Sequence, residues 1–516
     1  MADERPGATG DDRVVVAVDQ GTSSTKALVV DASGAVVWST SVAIGQSHPA
    51  VGHVEQDADE ILASVVRCLE EAAAVYGDRV ACIGLSTQRE SAVVWDRSTG
   101  RPLAPLLGWQ DRRTTALCSA LAEAGHAERV RRVTGLPLDP MFSALKFRWL
   151  LDAVDPDRAR SRRGEVAVGT VDSWLVASLT GEHRVELGNA SRTQLLDLDS
   201  AAWSPELLDL FDVPVETLPE VSPSTRVSAP VTGVAGLGPD VRVTGVLGDS
   251  HAALFAHGVR APGQVKVTYG TGSSIMGLSG GSAVLGAGLV RTVAWADPEP
   301  VEAFEGNILS TGATVAWLGR LLGRTPDELA VLAQAAPADH GVDLVPAFAG
   351  LGAPWWDESA VAVLSGFDLG TDAGVLSRAA FESIVLQVDD VLSAVGEHGD
   401  HVGTVLADGG PSRNDWLMQL QADLGGRVVV RSDTAELSAR GAAHLAGRTA
   451  GLWSDADTTA LRGDRTRFDV RGDEDAARAR RARWLAALAR SRSRSSSDSA
   501  AAATAPRPSL SPVVAS

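Results

Sequence analysis

The amino-acid sequence predicts an α/β protein of two similarly built domains facing each other across a cleft. Three observations predict it. The chain has 516 residues, too many for one hydrophobic core and enough for about two to four domains. Short β-branched runs are interspersed with stretches of helical periodicity. A turn in which Gly-Thr is followed closely by two serines occurs near residue 21 and again near residue 270, each time between two strand-like runs. An echo at half-chain separation suggests repeated architecture, and ligands favour the clefts between such domains.

The elements follow in order. Val14 to Val18 is a β-branched run ending at Asp19, Gly21-Thr22-Ser23-Ser24 is a turn, and Ala27 to Val30 is apolar again. Asp31 to Gly34 makes a second turn before Ala35 to Trp38, so the opening reads as an antiparallel hairpin sheet. Asp57 stands three residues before Glu60, the spacing of a capping box, and Ile61, Leu62, Val65, Val66 and Leu69 then recur at helical intervals. That helix should end near Gly77. Val80 to Leu85 is apolar nearly throughout, which suits a strand buried on both faces. The second half repeats the opening with strands at Val265 to Thr268 and Ile275 to Leu278 around the turn 270–274. Later strands are expected at Val402 to Leu406 and Arg427 to Val430, with a helix from about Asn414 to Leu424 between them. Residues 1–12 are polar and acidic and read as a disordered N-terminus rather than a secretory signal. From Arg490 a Ser/Arg run leads into an Ala/Pro/Ser stretch, so 490–516 is expected to be disordered.

Composition narrows the function. Apolar residues make up 45% and charged residues 22%, ordinary for a globular enzyme. A formal net charge of −19 repels phosphate backbones and anionic lipid, which argues against nucleic-acid and membrane-surface partners. No apolar run approaches the roughly 20 residues that span a bilayer. Three cysteines, Cys68, Cys82 and Cys118, lack metal-ligand spacing and fit a reduced, cytoplasmic setting.

Five constellations could carry chemistry, each with a plainer use beside it. Asp19-Gln20-Gly21-Thr22-Ser23-Ser24-Thr25-Lys26 offers a strand-end carboxylate, which can hold Mg²⁺ through water. Backbone N–H groups and hydroxyls for phosphate oxygens follow it, with Lys26 as a nearby cation. It could equally be an ordinary hairpin. Tyr269 to Ser273 is a second turn of little bulk, open to close ligand approach or simply tight. In Gly248-Asp249-Ser250-His251, Asp249 is either a helix N-cap or a general base for a substrate hydroxyl. Arg89 and Glu90 follow a buried strand and could hold vicinal hydroxyls or form a surface ion pair, with Trp109 as an apolar wall. Asp408-Gly409-Gly410 to Asn414 allows a flat ligand near the backbone, or is a plain strand-to-helix connection. A Gly-x-x-x-x-Gly-Lys phosphate loop, the protein-kinase signatures and zinc spacing are all missing.

Together these residues resemble the FGGY family of carbohydrate kinases, and within it most closely the glycerol kinases. The resemblance runs from about Val14 to about Trp453. It rests on Val-Asp-Gln-Gly-Thr at 18–22, Gln-Arg-Glu at 88–90, Gly-Thr-Val-Asp-Ser-Trp-Leu at 169–175 and Asn-Ala-Ser-Arg-Thr at 189–193. Gly-Asp at 248–249, Tyr-Gly-Thr-Gly at 269–272, the run 345–356, Asp-Gly-Gly at 408–410 and Leu-Met-Gln at 417–419 complete it. It implies two ribonuclease-H-like domains of the actin/sugar-kinase superfamily, 13–258 for substrate and Mg²⁺ and 259–489 for nucleotide, with ATP-Mg²⁺ between them. It further implies that Asp19, with Asp249, holds Mg²⁺. Gly21, Thr22, Ser23 and Lys26 would line the phosphates from one side and Thr271 and Gly272 from the other, with Gly312, Gly410 and Asn414 bordering the nucleotide. Arg89, Glu90, Trp109 and Asp249 would surround a small polyol or sugar, Asp249 taking its hydroxyl proton. The resemblance favours a homodimer or homotetramer.

The departures concern the pocket. Where glycerol kinases usually have tyrosine before Phe-Ser, this chain has Met141; it has Ser250 for a glutamine after Gly-Asp, and Ser274 for an aromatic. Lys26 replaces an arginine, and Ala316 a glutamine near the nucleotide. The acceptor expected is glycerol or, more in keeping with these changes, a tetritol, pentitol or ketose. A ketose (pentulose) kinase and a non-catalytic sugar or nucleotide sensor on the same fold are the alternatives; a sensor has no need to keep both Asp19 and Asp249.

Overall fold

In the computed structural model the described residues are 12–280, 288–396, 402–461 and 463–493. The expected disorder of the first residues and of 494–516 lies outside them. The first half opens with β1 (Val14–Gln20), β2 (Ser24–Asp31) and β3 (Val36–Ala43), the antiparallel hairpins read from the sequence. Helix α1 (Ala58–Tyr76) follows. Asp57 caps it by accepting from the N–H groups of Asp59 and Glu60, whereas the Glu60 carboxylate turns away to accept from the N–H of Gly45 at 3.0 Å, so the capping box is half made. Gly77 closes the helix. β4 (Val80–Thr87) and, much later, β5 (Val243–Gly248) run parallel to β1, giving a sheet of order β5-β4-β1-β2-β3. Helix α2 (Asp249–Ala256) leaves directly from β5.

The second half holds β6 (Gln264–Tyr269), β7 (Ser273–Leu278), β8 (Val290–Ala296) and β9 (Pro300–Ile308), then helices α3 (Gly312–Leu322) and α4 (Ala373–Gly396). β10 (Thr404–Gly409), α5 (Asp415–Gly425), β11 (Val428–Ser432), α6 (Leu437–Thr449), β12 (Arg465–Phe468) and α7 (Glu474–Ser493) complete it. Its seven strands lie in the order β8-β9-β7-β6-β10-β11-β12. The central run β9-β7-β6-β10-β11 has two antiparallel pairings and then two parallel ones. That is the sequence of pairings of the first sheet, so the two Gly-Thr turns are the same structural turn in two copies. α7 keeps residues 490–493 helical, and Arg490, Ser491 and Arg492 bond to Ser365, Val361 and Asp357; the disorder expected from 490 therefore begins too early.

Packing follows the strand period. Val14, Val16 and Val18 face Ile61, Val65 and Leu69 of α1, while Val15 and Ala17 face Ala439, Ala442 and Ala446 of α6. A helix from the far end of the chain thus covers one face of the first sheet. It comes close because Gly84 and Gly245 lack side chains: a Cβ on Gly84 would lie 2.3 Å from the Ala442 carbonyl oxygen. In the second sheet Val265, Val267 and Tyr269 pack on Phe381, Ile384 and Val388 of α4. Met276 and Leu406 pack on Leu254 and Phe255 of α2.

Candidate active site

Strand register gathers the site. Asp19 of β1 lies beside Ser86 of β4, and Thr87 beside Gly248 of β5, so three carboxyl ends meet at one edge. In the other sheet Thr268 and Tyr269 lie beside Asp408 and Gly409. Parallel strands delivering their carboxyl ends to one crevice is the usual way an α/β sheet makes a ligand site.

Ser86 Oγ donates to Asp19 Oδ1 at 2.7 Å. Burial lifts the Asp19 carboxyl to about 7, helped by the negative charges of Asp249 and Glu436 and opposed by Ser86 and Lys26. Asp249 is the first residue of α2; Gly248 is its N-cap, so capping does not account for this aspartate. Its Oδ1 accepts from the Ser250 N–H at 2.6 Å and from Arg89 Nε at 3.2 Å. The side chain is 41% exposed at the crevice, yet the surrounding protein raises its carboxyl above the ordinary range, with Arg89 pulling the other way. It lines a cavity of about 750 Å³ together with Lys26, Ser250, Lys266, Gly410 and Glu436.

The two turns are braced differently. Gly21 N–H closes its turn on the Ser24 carbonyl at 3.0 Å. The Thr22 hydroxyl accepts from Trp109 Nε1 at 3.1 Å, which fixes the indole at the rim; Ser23 is exposed there. The Gly270-Thr271-Gly272 turn is clasped by the start of α3: the N–H groups of Thr311 and Ala313 donate to the Thr271 carbonyl, and that of Gly312 to the Gly270 carbonyl, all at 3.0 Å. No side chain fits inside this clasp, since a Cβ on Gly272 or Gly312 would come within 2.3 or 2.5 Å of a backbone oxygen. Gly410, by contrast, has open space where a Cβ would be, and Asn414 caps α5 by accepting from the Leu417 N–H. Lys26 lines the cavity with its ammonium held by both oxygens of Glu436, at 3.1 and 3.0 Å.

The acceptor side differs most from expectation. Arg89 and Glu90 are not a surface pair; both are buried. The Arg89 guanidinium grips Glu305 of β9 through Nη1 and Nη2, each at 2.9 Å, and Glu90 accepts from Arg192 Nε at 2.5 Å. Arg192 also pairs with Glu305 at 3.0 Å. Burial works against charge at Arg89 and Glu305, but the two guanidiniums hold Glu305 well below the usual carboxylate range and ionised. Lys146 fixes the neighbouring backbone, its buried ammonium donating to the carbonyls of Glu90 at 2.7 Å and Met141 at 2.6 Å. Met141 packs with Leu136, Phe142, Val290 and Trp356. Ser274 Oγ points at Glu305 Oε1, 3.4 Å away.

Sequence reading missed Glu305, Lys266 and Glu436, and gave no role of their own to Arg192 and Asp408, which lie in motifs it singled out. A signal existed for two of them: Lys266 stands between Val265 and Val267, and Glu305 directly after Phe304, charges set beside apolar residues within strand-like runs. Such charges need partners or a ligand to be tolerated.

Comparison with known proteins agrees with this geometry. Residues 14–256 match the model of the N-terminal domain of the FGGY family of carbohydrate kinases, and 265–450 that of the C-terminal domain. A glycerol kinase of Aromatoleum aromaticum is 44% identical over 488 residues, 92% of this chain and 98% of that one. An apulose kinase of Pectobacterium atrosepticum is 40% identical over 447 residues, 85% of this chain and 90% of that one. The crystal structure of Plasmodium falciparum glycerol kinase with ADP superimposes with a TM-score of 0.88 at 27% identity, covering 93% of this chain and 98% of that one. Among the described residues no helix is long and apolar enough to cross a membrane.

Proposed function

The chain belongs to the FGGY family of carbohydrate kinases, a sugar or polyol kinase acting on an alcohol group, and from that premise we propose the identity of its acceptor and the roles of its residues. It transfers the γ-phosphoryl of ATP to a hydroxyl of a polyol or ketose of four or five carbons, with glycerol a poorer acceptor. The observation that carries the acceptor reading is Ser274. A serine hydroxyl directed at the buried Glu305 puts a small polar group where an aromatic would close the pocket. Ser250 adds a second small polar group beside Asp249. The apulose kinase relative lends a specific second reading, apulose as the acceptor.

The residues divide the work as phosphoryl transfer requires, chiefly alignment and charge stabilisation. Asp249 accepts the proton of the attacking hydroxyl, and Arg89 orients that carboxylate through its Nε. Glu90 and Arg89 fix the acceptor's other hydroxyls, and Trp109 covers its carbon chain. The backbone of Gly21, Thr22 and Ser23 faces the phosphates from one sheet, and Thr271 and Gly272 from the other. Gly410 and Asn414 border the nucleoside beside Gly312.

Mg²⁺ fits this crevice. Asp19 carries a carboxyl raised by burial and by two neighbouring carboxylates, a surplus of negative charge that a divalent cation relieves. Among the described residues no group of three acidic, histidine or cysteine side chains could cage a metal alone, which suits an ion held mainly by phosphates and water. Asp19, with Asp249, would hold it; bound there, it offsets the phosphate charge. A homodimer or homotetramer and a cytoplasmic location complete the reading. The test is an ATP-consumption screen across C3 to C6 polyols and ketoses. The highest kcat/KM on a four- or five-carbon acceptor is expected, and the highest on glycerol overturns the acceptor reading.

A further inference from the structure

Lys266 is a buried cation that the roles above leave without a task. It sits in the middle of β6, the strand that leads into the Gly270-Thr271-Gly272 turn, and is 1% exposed. Its ammonium donates to Thr268 Oγ1 at 2.9 Å, and among the described residues it forms no ion pair within 4 Å. An ammonium has three N–H donors, so two remain. Burial lowers its affinity for the proton, and Asp408 is the foremost group that sustains the charge.

The carboxylates around it are committed elsewhere. Asp408 accepts from His257 Nε2 at 2.8 Å, Glu305 is gripped by Arg89 and Arg192, and Asp249 by Arg89. A charge desolvated at this depth is costly unless a further partner completes its shell. Lys266 borders the same cavity as Asp249 and Gly410, on the strand that runs into the Gly270-Thr271-Gly272 turn. Lys26, the cation expected at the phosphates, has both Glu436 oxygens on its ammonium instead.

We propose that Lys266 is a catalytic residue that donates its free N–H groups to the γ-phosphoryl oxygens of ATP. The assignment rests on the kinase reading. In the transfer the bond between the γ-phosphorus and the oxygen bridging to the β-phosphate breaks, its electron pair leaving with ADP. A bond from the acceptor oxygen to the γ-phosphorus forms, and the acceptor proton passes to Asp249. Lys266 keeps its own protons throughout and meets the charge on the three equatorial oxygens as they move between donor and acceptor.

The test compares nucleotides with and without the third phosphate, which needs no acceptor. Full-length wild type, Lys266→Gln and Lys266→Arg are titrated calorimetrically with Mg-ADP and with the non-hydrolysable ATP analogue Mg-AMP-PNP. Gln keeps a donor for Thr268 but loses the charge; Arg keeps the charge. For Lys266→Gln, affinity for AMP-PNP should fall about 10- to 100-fold more than affinity for ADP, as loss of a charged hydrogen bond implies. Lys266→Arg should retain most of the discrimination. Equal losses for both nucleotides in Lys266→Gln, or no loss, overturn the assignment. An acceptor screen that favours glycerol overturns only the acceptor reading and leaves this ratio readable. A wild type that binds neither nucleotide removes the kinase reading and this assignment with it.

Discussion

Arg89 and Glu305 come from opposite halves of the chain, 216 positions apart, and meet in a two-pronged contact with both N–O distances at 2.9 Å. Arg192 joins from the side at 3.0 Å. One carboxylate of the second sheet is therefore shared by two guanidiniums of the first half. Removing its charge takes the shared partner from two buried cations, leaving Arg192 with Glu90 alone and Arg89 with Asp249. Glu305→Gln should cost about 3–5 kcal/mol of unfolding free energy, the range for breaking a buried pair from one side. Urea denaturation measures it, and a loss under 1 kcal/mol would show that the cluster contributes little.

Asp249→Asn keeps the shape of the side chain and removes the proton acceptor. Turnover should fall about 10²- to 10⁴-fold. Nucleotide affinity, measured by the same calorimetry, should change far less. Because the native carboxyl is raised, the acidic limb of kcat should lie above the ordinary aspartate range: activity grows as pH rises and Asp249 ionises. An Asn variant as fast as wild type would remove Asp249 from its role.

Ser274→Phe should restore an aromatic wall and exclude longer acceptors. The ratio of kcat/KM for glycerol over that for a pentitol or pentulose should rise by at least about tenfold, a hydrophobic-pocket effect of one to two kcal/mol. Acceptor kinetics on the two substrates decide it, and an unchanged ratio would show that position 274 does not set specificity.

Glu186 gives the stability a pH dependence. It caps a short helix by accepting from the N–H groups of Gly188 and Asn189, and it accepts from Ser224 Oγ. Burial nevertheless pushes its carboxyl up to about 8 from 4.5. Between those values the folded protein holds a proton that the unfolded chain has lost. This contribution to stability is full below 4.5 and disappears as pH rises through about 8, at up to roughly 1.4 kcal/mol per pH unit. Glu186→Gln cannot titrate, so the variant should gain on wild type as pH goes from 5 to 8 in urea melts. Parallel pH profiles would mean that Glu186 is ionised in the native protein.

The sheet hairpins, the repeated turn and the residues at the crevice mouth were legible because they are written locally. The β-branched run of Val14 to Val18, a glycine where the chain reverses, and Asp19 or Asp249 at a strand end are visible within a few residues. Asn414 and the helix after it were read to within a residue. What escaped was decided between distant segments. Arg192 lay in a motif already singled out, but its meaning depends on Glu90, 102 positions away. A surface ion pair stood beside the ligand-holding reading of Arg89 because nothing nearby announces Glu305. The two-oxygen clamp on Lys26 comes from Glu436, 410 positions on, so the neighbouring sequence gives its cation no partner.

The return of α6 to the first sheet has a consequence for how the enzyme can be divided. A chain severed between the two family-model matches would yield a leading piece whose β1, β4 and β5 show a bare apolar surface on one side, since Ala439, Ala442 and Ala446 belong to the trailing piece. Neither fragment owns a finished interior. They should be insoluble when made singly and regain activity when made together, with the late helix acting as the strap that reunites them.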